Sequence, residues 1–287
     1  MNGNNPKKCL AWPMALTMVL VLTACAAAPS TPSGDDSSSQ DTTELVVFAA
    51  ASLTETLEEI AQTYEDTYPN VTLTFNFDSS GTLKTQIQEG ADCDLFLSAG
   101  QLQMNQLDAA DTSGDNTEGL DLIRSDSRID LLENKVVLCV PDPEAEDAVK
   151  SFDDLAARLS SGDVLLAMGN SDVPVGQYTQ KILDYYHLDE ETLAAQGCIT
   201  YGTNVKEVTT QVSEASVDCG VIYCTDAYSA GLQPVDYASP EMCGQVIYPA
   251  AVLKNSQHPD QAQAFLDYLT SDEAMSVFAS VGFSAVS

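Results

Sequence analysis

Leu45-Val46-Val47-Phe48-Ala49-Ala50-Ala51-Ser52-Leu53-Thr54-Glu55-Thr56-Leu57 is the stretch that decides the fold. Its first six residues form a continuous apolar run, the mark of a strand buried on both faces within a parallel sheet. Past Ser52 the period changes, and Leu53, Leu57, Ile60, Ala61 and Tyr64 recur at helical spacing. A strand that becomes a helix through one small polar residue makes that residue the helix N-cap, so Ser52 is expected to cap. Residues 71–77 alternate apolar and polar as a second strand. Asp78-Ser79-Ser80-Gly81 then gives a short polar turn, and Leu83 and Ile87 continue helically to a stop at Gly90. Residues 94–98 read as a third strand, followed by a helix carrying Leu102 and Leu107.

The same alternation runs on toward the carboxyl end. Residues 111–119 are a polar loop, 136–140 a strand, 152–159 a short helix and 164–168 another strand. That strand leads into Gly169-Asn170-Ser171-Asp172-Val173-Pro174-Val175-Gly176, with a helix over 178–186. Strand, helix and strand follow at 198–201, 205–212 and 219–223. The chain closes with a strand over 246–253, a helix over 260–269 and a last helix capped by Ser271. Strands alternating with helices predict an α/β fold with largely parallel sheets. A length of 287 residues suits two lobes plus an export segment.

The amino end reads as targeting. Lys7 and Lys8 precede an uncharged run from Cys9 to Ala24 that ends in Leu22-Thr23-Ala24-Cys25. That run suits a signal peptide over 1–24 and is short for a membrane span. Leu-x-Ala-Cys resembles the lipobox of bacterial lipoproteins, which implies a lipid on Cys25 and a place on the outer face of the cytoplasmic membrane. Residues 25–43 are rich in Ser, Pro, Gly, Asp and Thr and read as a flexible tether.

Acidic residues number 43 against 11 basic, for a formal net charge of −32. Such a chain cannot neutralise phosphates, which argues against nucleic acid, and it has no polybasic attraction to lipid. Six cysteines lie beyond Cys25, and their pairing is open; Cys139, inside an apolar strand, reads as a buried thiol. His187 and His258 are far apart and no Cys-x-x-Cys occurs, so no metal site is expected.

Function-bearing residues cluster at three strand–turn–helix junctions, at Ser52, at Ser79-Ser80-Gly81 and at Val175-Gly176. Free amides at helix starts, aided by the helix dipole, form anion sites without formal positive charge. Converging junctions would cage a dianion and reconcile an anionic ligand with an acidic protein. A secreted serine hydrolase using Ser52 or Ser80 is the competing reading. It needs a positioned base, and neither histidine lies in a recognisable nucleophile motif, so the chain reads as a binding protein and not an enzyme. A structural or adhesive surface lipoprotein is the third.

Phe48-Ala49-Ala50-Ala51-Ser52-Leu53-Thr54 closely resembles the opening motif of periplasmic molybdate-binding proteins. The resemblance continues, in chain order, through residues 77–83 and 90–99, Val173-Pro174-Val175-Gly176-Gln177-Tyr178, Gly220-Val221-Ile222-Tyr223-Cys224-Thr225-Asp226-Ala227, Tyr248-Pro249-Ala250 and Gly282-Phe283. It implies a two-lobed type II periplasmic-binding-protein fold, each lobe a mostly parallel sheet flanked by helices, joined by two crossover segments. Lobe 1 would hold residues 44–132 and 232–287, and lobe 2 residues 133–231. It implies capture of molybdate or tungstate for an ABC importer, with the membrane subunits of that importer as partners. A monomer with no cofactor is expected. The only metal is the molybdenum or tungsten of the oxyanion itself; sulfate or phosphate is the alternative ligand. The family's donor positions fall here on Ser52, Ser80, the backbone of Val175, the backbone of Val205 and the hydroxyl of Tyr223. Lys84 and Lys206 read as surface lysines. Two departures stand out: Asp78, where the family usually has a neutral residue, is expected to point away or accept amides from its own turn, and Gly81 replaces a frequent serine.

Overall fold

The computed structural model describes residues 42–286. The signal segment, Cys25 and all but the end of the tether lie outside them. The first strand already begins at Thr43, the last residue of the segment expected to be a tether.

Two sheets organise the chain. The first contains β1 (Thr43–Ala50), β2 (Val71–Asp78), β3 (Leu95–Leu97), β4 (Ile129–Asn134), β10 (Val246–Val252) and β11 (Ser284–Ala285), in the order β11-β4-β10-β3-β1-β2. The second contains β5 (Val136–Cys139), β6 (Leu166–Gly169), β7 (Ile199–Gly202), β8 (Cys219–Tyr223) and β9 (Pro234–Tyr237), in the order β7-β6-β8-β5-β9. The chain therefore passes between the sheets twice, once at Lys135 and once over residues 238–245.

The α/β architecture is as expected, but the sheets are mixed rather than mostly parallel. Parallel pairs join β2 to β1, β1 to β3, β7 to β6 and β6 to β8. The other pairs are antiparallel. The difference lies at the crossings: every antiparallel pair but that of β11 with β4 involves β5 or β10, the two strands that enter a sheet from the other one. A second correction concerns residues 232–237. The resemblance places them in lobe 1, yet β9 pairs with β5 and belongs to the second sheet, while β4 carries the first sheet on to Asn134.

Helices α1 (Thr54–Thr67), α2 (Ser80–Gln88), α3 (Gln101–Leu107), α10 (Pro259–Leu269) and α11 (Asp272–Ser280) belong with the first sheet. Helices α4 (Phe152–Ser161), α5 (Pro174–Tyr185), α6 (Glu190–Ala195), α7 (Val205–Ser213), α8 (Cys224–Ser229) and α9 (Pro240–Cys243) fall in the chain between the two crossings or, for α9, in the second of them. Local chemistry starts most of them. Ser79, Ser151, Asn204 and Ser271 each cap a helix by accepting a backbone amide, and Pro174 occupies the first turn of α5.

Ser52 does not cap. A 3-10 turn over Ala51–Leu53 precedes α1, whose N-cap position is Leu53 with no side-chain bond. Burial of Leu57, Ile60 and Tyr64 replaces the cap. A fully buried large apolar side chain contributes about 1.5–3 kcal/mol, against about 1 kcal/mol for a cap, so packing decides.

The hinge is polar and buried. Asn134, the last residue of β4 at the first crossing, donates Nδ2 to Thr225 Oγ1 at 3.0 Å and to Tyr248 Oη at 3.2 Å. Its Oδ1 accepts the amide of Lys135 at 2.8 Å. Tyr248, in β10 just past the second crossing, lies 2.9 Å through its Oη from Ser52 Oγ. One network thus links both crossings, α8 of the second lobe and the turn after β1. Tyr248→Phe leaves these buried partners without a hydroxyl. Losing such a bond costs about 1–3 kcal/mol, and the expected outcome is a fall of that size in urea unfolding free energy.

Candidate functional site

The carboxyl ends of parallel strands from both sheets feed one recess. Ala50, Ala51 and Ser52 follow β1, Asp78, Ser79 and Ser80 follow β2, and Ala99 follows β3. From the other side come Val173 and Pro174 after β6, Val205 after β7 and Tyr223 at the end of β8. Open α/β sheets place ligands at such strand ends. The recess is small, with a free volume, open mouth included, of about 200 Å3. A larger hollow lies at the opposite, amino-terminal ends of β6 and β8, beside Val164 and Asp218; the strand-end rule and the donor chemistry both favour the smaller one.

Four of the five expected donors wall this recess: Ser52, Ser80, Val205 and Tyr223, all buried. Val175 is fully buried in the second-lobe core one residue beyond the lining residue Pro174. The lining by Val173 and Pro174 was not foreseen at residue level.

Each hydroxyl is held so that a proton remains to give. Ser80 Oγ accepts the amide of Ala99 at 2.9 Å, which leaves its own O–H free. Tyr248 Oη accepts from Asn134, so its proton can go to Ser52 Oγ and free the Ser52 proton in turn. Tyr223 Oη reaches the carbonyl of Ala99 in the other lobe only at 3.5 Å, a long bond that a better acceptor would replace. Burial pushes the Tyr223 and Tyr248 phenols well above their ordinary range, so both stay protonated donors.

Backbone donors join them. The first amides of α2, α5 and α7 have no carbonyl one turn earlier to reach, and their helix dipoles favour negative charge. Ser79 and Asn204 occupy only the third amide of α2 and α7, which leaves Ser80, Gly81, Val205 and Lys206 with open N–H groups. Asp78 Oδ1 accepts the amide of Ser79 at 2.7 Å, as expected of a residue that serves its own turn.

Two glycines beside the recess allow close backbone approach. A Cβ on Gly81 would strike the backbone carbonyl of Asp172, which belongs to the other lobe. A Cβ on Gly176 would strike the carbonyls of Gly169 and Asn170 and push α5 off the loop that precedes it.

Of two charged residues behind the recess, Asp226 carries no role in the sequence reading and Lys206 is read there as a surface lysine. Asp226, on the first turn of α8, is completely buried, and neither carboxylate oxygen has a hydrogen-bond partner among the described residues. Burial raises its carboxyl to about 6, against the pull of the Lys206 ammonium 3.4 Å away. Lys206 itself is not a free surface lysine: its Nζ lies 2.7 Å from both carboxylate oxygens of Glu55. No spacing rule pairs residues 55, 206 and 226; only the fold does.

The six cysteines beyond Cys25 are all free thiols. Cys139 is buried as expected, and burial drives its thiol up to about 12.

The family model described as bacterial extracellular solute-binding protein matches residues 45–284. The chain belongs to that family. A putative ABC transporter substrate-binding lipoprotein of Bacillus subtilis, YvgL, is 35% identical over 94% of this chain and 96% of its own length. The molybdate-binding protein ModA of Haemophilus influenzae is 32% identical over 84% of this chain and 90% of its own. Among solved structures, the substrate-binding domain of a putative molybdenum ABC transporter from Clostridium difficile is 31% identical. It covers 86% of this chain and all of its own, with a TM-score of 0.60. The periplasmic molybdate-binding protein of Azotobacter vinelandii reaches a TM-score of 0.70 at 20% identity, a likeness of fold.

Asp226 generates a test of its own. Its carboxyl binds a proton more tightly in the folded chain than the ordinary 3.8. It therefore favours folding most below about 4, and that advantage is lost as pH rises through about 6. Relative to Asp226→Asn, the natural protein should lose on the order of 3 kcal/mol across this window. Urea unfolding of both proteins at several pH values reads the difference, and a constant gap would refute it.

Proposed function

We propose that this protein captures a tetrahedral oxyanion, molybdate or tungstate, outside the cytoplasmic membrane and delivers it to an ABC importer. The observation that carries this reading is the buried recess walled from both lobes by neutral donors: the hydroxyls of Ser52, Ser80 and Tyr223 and the open amides of α2 and α7. A dianion with acceptors on every face satisfies all of them at once. The amide of Val175 completes the set in this proposal. A lipid on Cys25 would hold the protein, as a monomer, at the outer face of the membrane. The names of the relatives from Bacillus subtilis and Haemophilus influenzae support the importer and the ligand respectively.

Neutral donors also explain how so acidic a chain binds an anion. Long-range repulsion is screened by salt, and short charge-assisted bonds act at contact. Selection follows from spacing. Sulfate is smaller, so a recess set for molybdate leaves it short of some donors, and each unmet buried donor costs about 1–3 kcal/mol. Molybdate and tungstate share one hydrogen-bond pattern and should compete evenly.

A thermal melt with molybdate, tungstate, sulfate and phosphate at matched ionic strength tests the ligand. Ligand at a hundred times its Kd stabilises by about 2.7 kcal/mol, so molybdate and tungstate should raise Tm and the other two should not. A rise with sulfate or phosphate alone would change the ligand and keep the site. Ser52→Ala and Tyr223→Phe should each weaken binding about tenfold or more. Gly81→Ala removes no donor yet should also weaken it, by blocking the approach of Asp172; unchanged affinity in all three would move the site elsewhere.

A further inference from the structure

Behind the recess stands a second ring of three charged residues. Glu55 lies three residues past Ser52, Lys206 one past Val205 and Asp226 three past Tyr223. Glu55 belongs to α1 of the first lobe; Lys206 and Asp226 belong to α7 and α8 of the second. They line a groove of their own with Thr209, Thr210 and Ser213, and none of the three lines the recess.

The Lys206 ammonium is the link. It meets both oxygens of Glu55 across the lobes at 2.7 Å and stands 3.4 Å from Asp226 Oδ1 within its own lobe. Asp226 has no other partner for either oxygen among the described residues. A fully buried carboxylate without hydrogen bonds is costly to keep, and Lys206 is the compensating charge on this face. The buried carboxylate in turn anchors a side chain that would otherwise lose rotamer entropy in reaching for Glu55.

We propose that Lys206 is a positioning residue for anion capture: held by Asp226, it clasps Glu55 and draws the first turn of α7 against the first lobe in the closed form. It acts on the amide of Val205 through the backbone and on Ser52 through the turn of α1, without touching the anion. Because the clasp crosses the lobes, it weights the open–closed equilibrium directly. Lys206, Glu55 and Asp226 form a network, which counts for more than an isolated surface pair. This inference rests on the oxyanion-binding reading above for its affinity arm only.

The test compares the natural protein with Lys206→Met, Glu55→Gln, the double variant and Lys206→Arg. Molybdate Kd is measured by calorimetry at about 0.01 M and about 1 M salt, where screening acts over ~30 Å and ~3 Å. Each single variant should bind about fivefold more weakly at low salt, the double no more weakly than either single, and the deficit should shrink at high salt. Lys206→Arg keeps the charge and should restore most of the affinity. Small-angle scattering supplies an arm that needs no ligand: Lys206→Met should show a larger radius of gyration than the natural protein, salt removing the difference. Additive losses in the double variant, or equal affinities and equal radii, would overturn the clasp. If the natural protein binds neither molybdate nor tungstate, the oxyanion reading fails while the scattering comparison still decides the clasp.

Discussion

The structure depends on the buried hydrogen-bond network at the hinge. Asn134 sits where the chain first leaves the first sheet, Tyr248 where it has just returned, and Thr225 and Ser52 stand on either side. Two lobes joined by only two short segments would otherwise pivot freely about them. Polar groups buried without partners are costly, so this network tolerates few arrangements, and it holds Ser52 in the wall of the recess. Aromatic packing surrounds it: Tyr248 meets Tyr223 edge-on at 5.7 Å and Phe283 at 5.2 Å. The Ser52 and Tyr223 hydroxyls that wall the recess and the residues at the two crossings are therefore packed into one piece of structure.

The charge of the chain and the anion proposed for the recess stand in an apparent contradiction that geometry resolves. The chain carries a net charge of −32, and the recess lining includes a carboxylate, Asp78, but no lysine or arginine. Helix starts supply the positive end of a dipole without the hydration cost of desolvating an ammonium. Fixed amides and hydroxyls also discriminate by spacing, which a flexible lysine cannot do. The one ammonium close by, Lys206, is already engaged by Glu55 and Asp226. It lies outside the recess lining, in the groove shared by Glu55 and Asp226.

Much of this was legible in the chain itself. The apolar run at Leu45 and the helical spacing that follows it predict a buried strand and a helix, and both occur at nearly those residues. Caps at Ser79, Asn204 and Ser271 follow from local chemistry, because a side-chain oxygen three residues before an orphan amide needs no tertiary help. Ser52 looked the same and is not a cap, since Tyr248, nearly two hundred residues away, takes its hydroxyl instead. Strand β9 and the helices α6, α8 and α9 left little signal, being short and half-buried.

Sequence alone determined the α/β class, the acidic charge and four of the residues that wall the recess, Ser52, Ser80, Val205 and Tyr223. Each of these rests on local periodicity, composition or a motif contained within a few residues. Tertiary structure alone decided the antiparallel entry of β5 and β10, the partners of Asn134, the close approach of Asp172 to Gly81 and the meeting of Glu55, Lys206 and Asp226. These are contacts between segments far apart in the chain. Their energies depend on burial and on distances of a few ångströms, which no spacing along a sequence encodes.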